Sequence, residues 1–214
     1  MLGRCVAGRI VNANGAFGAW VRPVSDRTEK ELSVYDRHYD GSIEPSLLDA
    51  MNITFLHKDA HDYLPENHLI DPNFYWGRAG QFTYAQAKLA LDSSQADLWG
   101  LSHDSSYHGH YDRVPLADAP SFGYSLRLIS VDDLTIRVCA ESAAFGNMKK
   151  KIRGYFTYSG NRYALTITDP TIDGSFLSQP EGHYSLGSAL LCVSLGEPYN
   201  GYAYKLVASV ILPP

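Results

Sequence analysis

A chain of 214 residues is long enough for one large domain or two small ones, and its 45% hydrophobic residues can form a core. The 19% of charged residues argue against long disordered tracts, and the net charge of −5 argues against unspecific electrostatic binding to nucleic acid. No run approaches the ~18 apolar residues of a membrane span, and no signal peptide is apparent. Three cysteines without a CxxC spacing favour buried thiols in a reducing compartment, so we expect a cytoplasmic protein.

The beginning of the chain alternates short strand patterns with polar segments. Residues 4–11 and 17–24 are predicted strands, and Asn14-Gly15 between them favours a tight turn. A helix is predicted from Pro45 to Ala50, because proline suits the first helical turn, and a third strand over residues 51–57.

Residues 60–122 show little regular pattern. One helix is expected after Thr83, which can form a capping box with Gln86. Such a long irregular stretch in a compact domain is either functional or contains elements that the pattern hides.

From Tyr124 the pattern is clearly β. Hairpins are predicted over residues 124–140, 149–168 and 189–212. If Gly160-Asn161 is the two-residue loop of the second hairpin, Phe156 opposes Leu165 on a core face. The first 119 residues hold 10 basic and 16 acidic residues and the rest hold 8 and 7, so an anionic ligand would bind the second part more readily.

A basic, aromatic stripe suggests nucleic-acid binding. Lys149, Lys151, Arg153 and Tyr155 are spaced two apart on one strand, so they are predicted to share a solvated face. Cations there can contact phosphates, and the tyrosine ring can stack on a base. The alternative is an ordinary solvated strand face.

Two further groups are candidates for the same role. Trp20 and Arg22 share a strand face and can clamp a planar or anionic group, although Trp20 at the edge of the core with Arg22 pointing outward is the alternative. Lys205 follows the last turn beside Tyr199 and Tyr202, which can stack on a ligand or pack as a tyrosine cluster.

The segment from Ser102 to Arg113 is the richest in chemical groups. Its three histidines and two aspartates are potential zinc ligands, but no fixed ligand spacing is visible, so neither a metal nor a cofactor is predicted. A polar loop bonded to itself is one alternative. A ligand site without metal, lined by His103, Tyr107 and Arg113, is another.

Signatures of common enzymes are absent. The sequence contains no GxxxxGK[ST], HExxH, GxSxG or GxGxxG, so no catalytic residue is assigned.

Several blocks, in consistent order along the chain, together resemble the bacterial dual OB-containing domain family. They are Gly3–Gly8 (GRCVAG), Trp20–Ser25 (WVRPVS), His103–Tyr107 (HDSSY), Asp112–Pro115 (DRVP), Thr168–Pro170 (TDP), Ser194–Pro198 (SLGEP) and Tyr204–Ala208 (YKLVA).

The resemblance implies a mainly β chain with two OB-like barrels, over residues 1–120 and 121–214, joined by a short helix and long loops. It also implies a nucleic-acid-binding module in a prokaryotic stress-response or defence system, with enzymes as partners. Similar proteins have a strand before Gly3–Gly8, so the first barrel is expected to be incomplete or to start elsewhere.

We therefore predict a cytoplasmic, non-enzymatic module for single-stranded or structured DNA or RNA, without a membrane segment. Its expected binding residues are Trp20, Arg22, Lys149, Lys151, Arg153, Tyr155 and Lys205. The alternatives are a protein-interaction scaffold, or a sensor or enzyme for a nucleotide-like molecule at the His103–Arg113 loop.

Overall fold

The computed structural model describes residues 5–93, 97–100, 104–141 and 146–214, and the chain is mainly β, as predicted. It divides after Ala90 into two compact units, and residues 123–125 belong to the first. The sequence suggested a boundary at residue 120, whereas residues 91–122 pack with the second unit.

Short strands dominate the first unit and long strands the second. The strands are β1 (Gly8–Val11), β2 (Phe17–Val24), β3 (Asp49–Asn52), β4 (Phe55–Lys58), β5 (Asn67–Ile70), β6 (Gly77–Gln81), β7 (Arg113–Pro115), β8 (Leu126–Cys139), β9 (Lys151–Tyr158), β10 (Asn161–Ile167), β11 (Gly182–Tyr199) and β12 (Tyr202–Ile211). The α-helices are α1 (Tyr84–Ala87) and α2 (Pro170–Phe176). In the described part of the chain, no helix has the length and apolar character needed to cross a membrane.

The second unit contains a closed five-stranded barrel. β8 pairs antiparallel with β9 and β11, β9 with β10, and β11 with β12, and a parallel pairing of β10 with β12 closes the circle. The helix α2 lies in the chain between the third strand, β10, and the fourth, β11. A five-stranded barrel with this strand order, and with a helix between the third and fourth strands, has the topology of an OB fold.

The first unit repeats four of these five strands. Its main sheet has the order β1-β2-β5-β4, with β2 and β5 parallel and the other two pairs antiparallel. These pairings match those of β9, β10, β12 and β11. Among the described residues no strand corresponds to β8, and the outer edges of β1 and β4 have no partner strand. The core of this unit is built around Leu32, Tyr39, Ile70 and Trp76.

Local chain chemistry explains the helices. The Thr83 side chain accepts from the Gln86 amide and the Gln86 side chain accepts from the Thr83 amide, so the predicted capping box is confirmed. At α2, the Asp169 side chain accepts from the Thr171 amide at 2.8 Å, and Pro170 starts the first turn.

The predicted hairpin over residues 124–140 is wrong, because β8 runs through Asp132-Asp133 as one strand of 14 residues. Neither aspartate adopts the positive φ of a tight hairpin turn. The predicted helix from Pro45 to Ala50 is also wrong, and residues 51–57 fall into two strands, β3 and β4, in different sheets.

The β9–β10 hairpin is confirmed, but its predicted register is wrong by two residues. Ser159 (φ 49°) and Gly160 (φ 80°) form the loop, so Phe156 opposes Tyr163 and not Leu165. Gly160 occupies the second position of the turn, and glycine is the residue for which a positive φ is least costly. A shift of two preserves the face of each side chain, so Phe156 and Leu165 still lie on the core side.

Candidate functional site

The outer face of β9 and β10 is the first candidate site. These are the second and third strands of the barrel, and this face of OB folds binds oligonucleotides and oligosaccharides. Ile152, Gly154 and Phe156 are buried on the inner side of β9. Lys151 and Tyr155 therefore lie on the outer face, as the alternation of the sequence predicted.

Arg153 lies on the same outer side but is not solvated, so the predicted wet face is wrong at this position. Arg153 is only 5% exposed, and its guanidinium is held by the Glu141 carboxylate at 2.8 and 3.0 Å. It also contacts Asp112 at 3.3 Å and donates to the Ala164 carbonyl at 3.1 Å. The Arg153 guanidinium is therefore bound to groups of the protein itself and does not face a ligand in solution.

Electrostatics fix the charge state of this buried group. Burial alone would lower the pKa of Arg153, but the hydrogen bonds and negative charge of Glu141 outweigh it and raise that pKa. Burial would raise the pKa of Glu141, and Arg153 reverses this and lowers it. Both groups are therefore ionised at neutral pH.

Residues 104–113, here called the covering segment, lie against this part of the barrel. His110 and Ala164 exchange backbone hydrogen bonds of 3.2 and 3.1 Å, and the Lys205 amide donates to the Asp112 carbonyl at 2.8 Å. His108 Nε2 donates to the Glu141 carbonyl at 2.6 Å.

Next along the chain, β7 pairs with β12. Residues 110–115 thus bridge the stretch where β10 and β12 do not pair directly.

The covering segment has a tight turn at Gly109. A Cβ on this residue would lie 1.8 Å from an Asp112 carboxylate oxygen. That carboxylate cannot easily move, because it accepts from the Ser106 amide at 2.7 Å and contacts Arg153.

We therefore expect Gly109→Ala to lower the free energy of unfolding by about 2 kcal/mol, through overpacking. Chemical denaturation would measure this change. Gly174→Ala is the matched control, since nothing lies within 4 Å of its Cβ position and alanine favours its helix. Equal stability of the two variants would contradict the tight packing described for Gly109.

A shallow cleft of about 410 Å³ lies on the outer face. Tyr155 and His110 line it, with the small side chain of Ala164 between them in the strand register, and Asp133 and Arg162 also contribute. The Tyr155 hydroxyl accepts from Arg137 Nη1 at 3.3 Å. The cleft therefore combines an aromatic ring with groups of both charges.

The remaining basic candidates divide between surface and interior. Lys149 and Lys151 are exposed, as is Arg162, which the sequence reasoning did not select. Arg162 lies opposite Thr157 in the observed register, so extending the alternation argument from β9 to β10 was the signal that could have found it. Lys205, in contrast, is 0% exposed.

Lys205 occupies a core position of β12. Its Nζ lies 3.5 Å from the Gly100 carbonyl and 5.8 Å from the centre of the Tyr163 ring. Burial lowers the pKa of Lys205 to about 8, although the charges of Asp112 and Asp97 act in the opposite direction. A lysine in this position cannot reach a ligand on the outer face.

In the first unit, Trp20 is paired with a different arginine from the one predicted. Arg9 lies opposite Trp20 in the β1–β2 register, with its Cζ 5.5 Å from the ring centre. Arg22 is buried, and its Nη1 donates to Asn67 Oδ1 at 3.3 Å. Trp20 and Arg9 lie on the strands that correspond to β10 and β9 of the second barrel.

The predicted ligand loop is largely bonded to the protein itself. Arg113 stacks over Tyr202 at 4.0 Å and lies 3.8 Å from Asp104. Tyr107 is 91% exposed, and His103 lies outside the described residues. No cluster of three or more histidine, cysteine, aspartate or glutamate residues suited to a metal ion occurs within the described ranges.

Comparison with known proteins gives one match. A family model described as a dual OB-containing domain matches residues 1–210. Neither a curated protein nor a solved structure matches the chain. The match agrees with the repeated strand pairings of the two units.

Proposed function

Because the chain belongs to the dual OB-containing domain family, we propose that it is a nucleic-acid-binding module whose ligand lies on the outer face of β9 and β10. The observation that carries this proposal is the OB topology of the second unit, in which that face presents exposed cations around a half-buried tyrosine. OB barrels bind extended strands on this face and on the adjoining loops.

The chemistry of the face suits a single strand. Lys151 and Arg162 are exposed on neighbouring strands, and Lys149 lies in the connection before β9. These cations suit phosphates, while Tyr155 offers a ring on which an unpaired base can stack. The net charge of −5 restricts binding to this local patch, because the rest of the chain repels a polyanion.

The first unit supplies a second candidate contact. Trp20 is half-buried beside Arg9 on the strands equivalent to β10 and β9. An indole next to a guanidinium can stack on a base while the cation approaches its phosphate. In this proposal Arg9 takes the role that was predicted for Arg22. Arg153 and Lys205 are buried, so they stabilise the barrel and do not contact the ligand.

Fluorescence anisotropy with short, labelled DNA and RNA oligomers tests the proposal. We expect Lys151→Glu combined with Arg162→Glu to weaken binding at least tenfold at low salt and to reduce the salt dependence, since each lost phosphate contact removes about 0.7 from the log–log slope for single strands.

A control variant at two exposed lysines of the first unit distinguishes a local binding site from a general effect of net charge. The control is Lys88→Glu combined with Lys58→Glu, which changes the net charge equally at exposed positions of the first unit. If both double variants bind as tightly as each other, or if the unaltered protein binds no oligomer at low salt, the proposed face is wrong.

We also propose that the module accompanies enzymes of a prokaryotic stress-response or defence system, as the resemblance implied. A protein-interaction scaffold is the second candidate function. It is favoured by the partnerless outer edges of β1 and β4 in the described part of the first unit, where Ile10 and Leu56 are exposed. Exposed strand edges pair readily with a strand of another chain. A stable partner co-purifying with a protein that binds no oligomer would select the scaffold.

A further inference from the structure

The cleft on the outer face is lined by two aromatic side chains, Tyr155 and His110, on which a planar group can stack. Tyr155 and His110 lie on either side of Ala164 in the strand register, and the residue between them carries only a methyl side chain. His110 is itself stacked on Tyr111, with ring centres 4.1 Å apart and an interplanar angle of 26°. This stacking holds the histidine ring in place with a residue that does not line the cleft.

Two polar groups in the cleft, the Asp133 carboxylate and the Arg162 guanidinium, can form further hydrogen bonds. Asp133 Oδ1 accepts from the Thr157 amide at 2.9 Å, and no other bond to this carboxylate is found within the described ranges. The Arg162 guanidinium makes no hydrogen bond or ion pair within those ranges. Asp133 bonds to the backbone of Thr157 and Arg162 lies opposite Thr157 in the strand register, and no ion pair joins the two side chains within the described ranges.

An aspartate and an arginine that do not neutralise each other define a pattern of hydrogen bonds. The carboxylate accepts up to two neighbouring N–H groups, and the guanidinium donates to two neighbouring acceptors. Among the common bases, guanine has two adjacent donors, N1–H and N2–H, on one edge and two adjacent acceptors, O6 and N7, on another. Adenine, cytosine and uracil each lack the adjacent donor pair.

We infer that this cleft takes a guanine base, with Asp133 accepting from its N1–H and N2–H groups and Arg162 donating to O6 and N7. The inference rests on the proposed function and adds a base preference to it. The preference belongs to a single unpaired nucleotide, because base pairing would occupy the N1–H and N2–H edge.

Labelled thymidine oligomers with isolated guanines test the preference, since isolated guanines avoid four-stranded structures. Relative to plain oligothymidine we expect about tenfold tighter binding, the discrimination typical of a bidentate pair. Replacing guanine by inosine removes the N2 amino group, and with it one of the two bonds to Asp133, so we expect inosine to bind more weakly than guanine.

The substitution Asp133→Asn separates base recognition from general electrostatics. Asparagine keeps one oxygen that can accept from the Thr157 amide, but its other terminal atom is an NH2 group that donates and cannot accept from guanine. Removing a negative charge should by itself tighten binding to every oligomer, whereas we expect this variant to lose the guanine preference. Asp132→Asn is the matched control, because Asp132 lies outside the cleft and accepts from the Ser188 hydroxyl.

The possible outcomes keep the two proposals apart. Binding that is equal for guanine, inosine and thymidine oligomers overturns the guanine site and leaves the nucleic-acid module intact. A guanine preference that survives Asp133→Asn also overturns it. Absence of all oligomer binding overturns both, and a guanine preference lost only in the Asp133 variant supports both.

Discussion

Replacing Arg153 by methionine is expected to lower the free energy of unfolding by about 3–5 kcal/mol, the typical cost of removing one partner from a buried ion pair. The variant leaves the Glu141 carboxylate without its bidentate donor and removes a contact to Asp112, and both carboxylates are in buried residues. Denaturant unfolding monitored by circular dichroism at pH 7 would measure the loss.

Lys151→Met provides the control for this variant, because Lys151 lies two residues away on the same outer side of β9 but is exposed. Its effect on stability is expected to stay within about 0.5 kcal/mol, as for most surface substitutions. An Arg153 variant as stable as the Lys151 variant would mean that the Glu141–Arg153 contact contributes nothing to the fold. Arg153→Lys should fall between the two, since lysine keeps the charge but not the planar, bidentate geometry.

Replacing Lys205 by methionine is expected to increase stability at pH 7, by up to about 3 kcal/mol, which is the free energy equivalent of the shift in its pKa. The pKa of Lys205 falls from 10.5 to about 8 because burial penalises the charged amine. Methionine has a similar length and removes this cost, but it also removes the weak contact to the Gly100 carbonyl at 3.5 Å.

The gain should depend on pH in a definite direction. Below pH 8 the lysine is charged in both the folded and the unfolded protein, so the full cost of burying the charge is present. Between the folded pKa of about 8 and the ordinary value of 10.5, the unfolded chain binds a proton that the folded protein has lost. The free energy of unfolding of the unaltered protein therefore rises with pH in this window.

The difference in stability between the methionine variant and the unaltered protein should shrink accordingly from pH 7 to pH 10.5. Tyrosines away from Lys205 whose pKa is raised by burial, such as Tyr39 of the first unit, titrate in both proteins and cancel in the difference. A constant difference across this range would show that Lys205 is not the group that titrates. Urea unfolding of both proteins at a series of pH values makes the comparison.

Local signals predicted the elements that local chemistry determines. The capping residues Thr83 and Gln86 located α1, and the apolar and aromatic run over residues 17–24 gave the bounds of β2. Period-two alternation also placed Lys151 and Tyr155 on the outer side of β9. These features depend on residues close together in the sequence, so one sequence is enough to find them.

The burial of Arg153 and Lys205 depends on partners far away in the chain. Arg153 is enclosed by Asp112, which is 41 residues distant, and the Lys205 amine meets Gly100, which is 105 residues distant. Alternation identifies the side of a strand on which a residue lies, but it does not show whether another segment covers that side. The sequence therefore predicted correctly that Lys151, Arg153 and Tyr155 lie on one side of a strand, but Lys149 precedes that strand and the buried Arg153 shows that the face is not uniformly solvated.

The bridge that residues 110–115 form between β10 and β12 also determines where the chain can be cut. A fragment that starts at residue 121 would contain all five barrel strands and the helix α2, but it would lack Asp112 and the backbone partner of Ala164. Arg153 would lose one of its two carboxylate partners, and residues 202–204 of β12 would lose their pairing with β7. The smallest piece expected to fold by itself therefore begins near Leu91, 35 residues before β8 starts at Leu126.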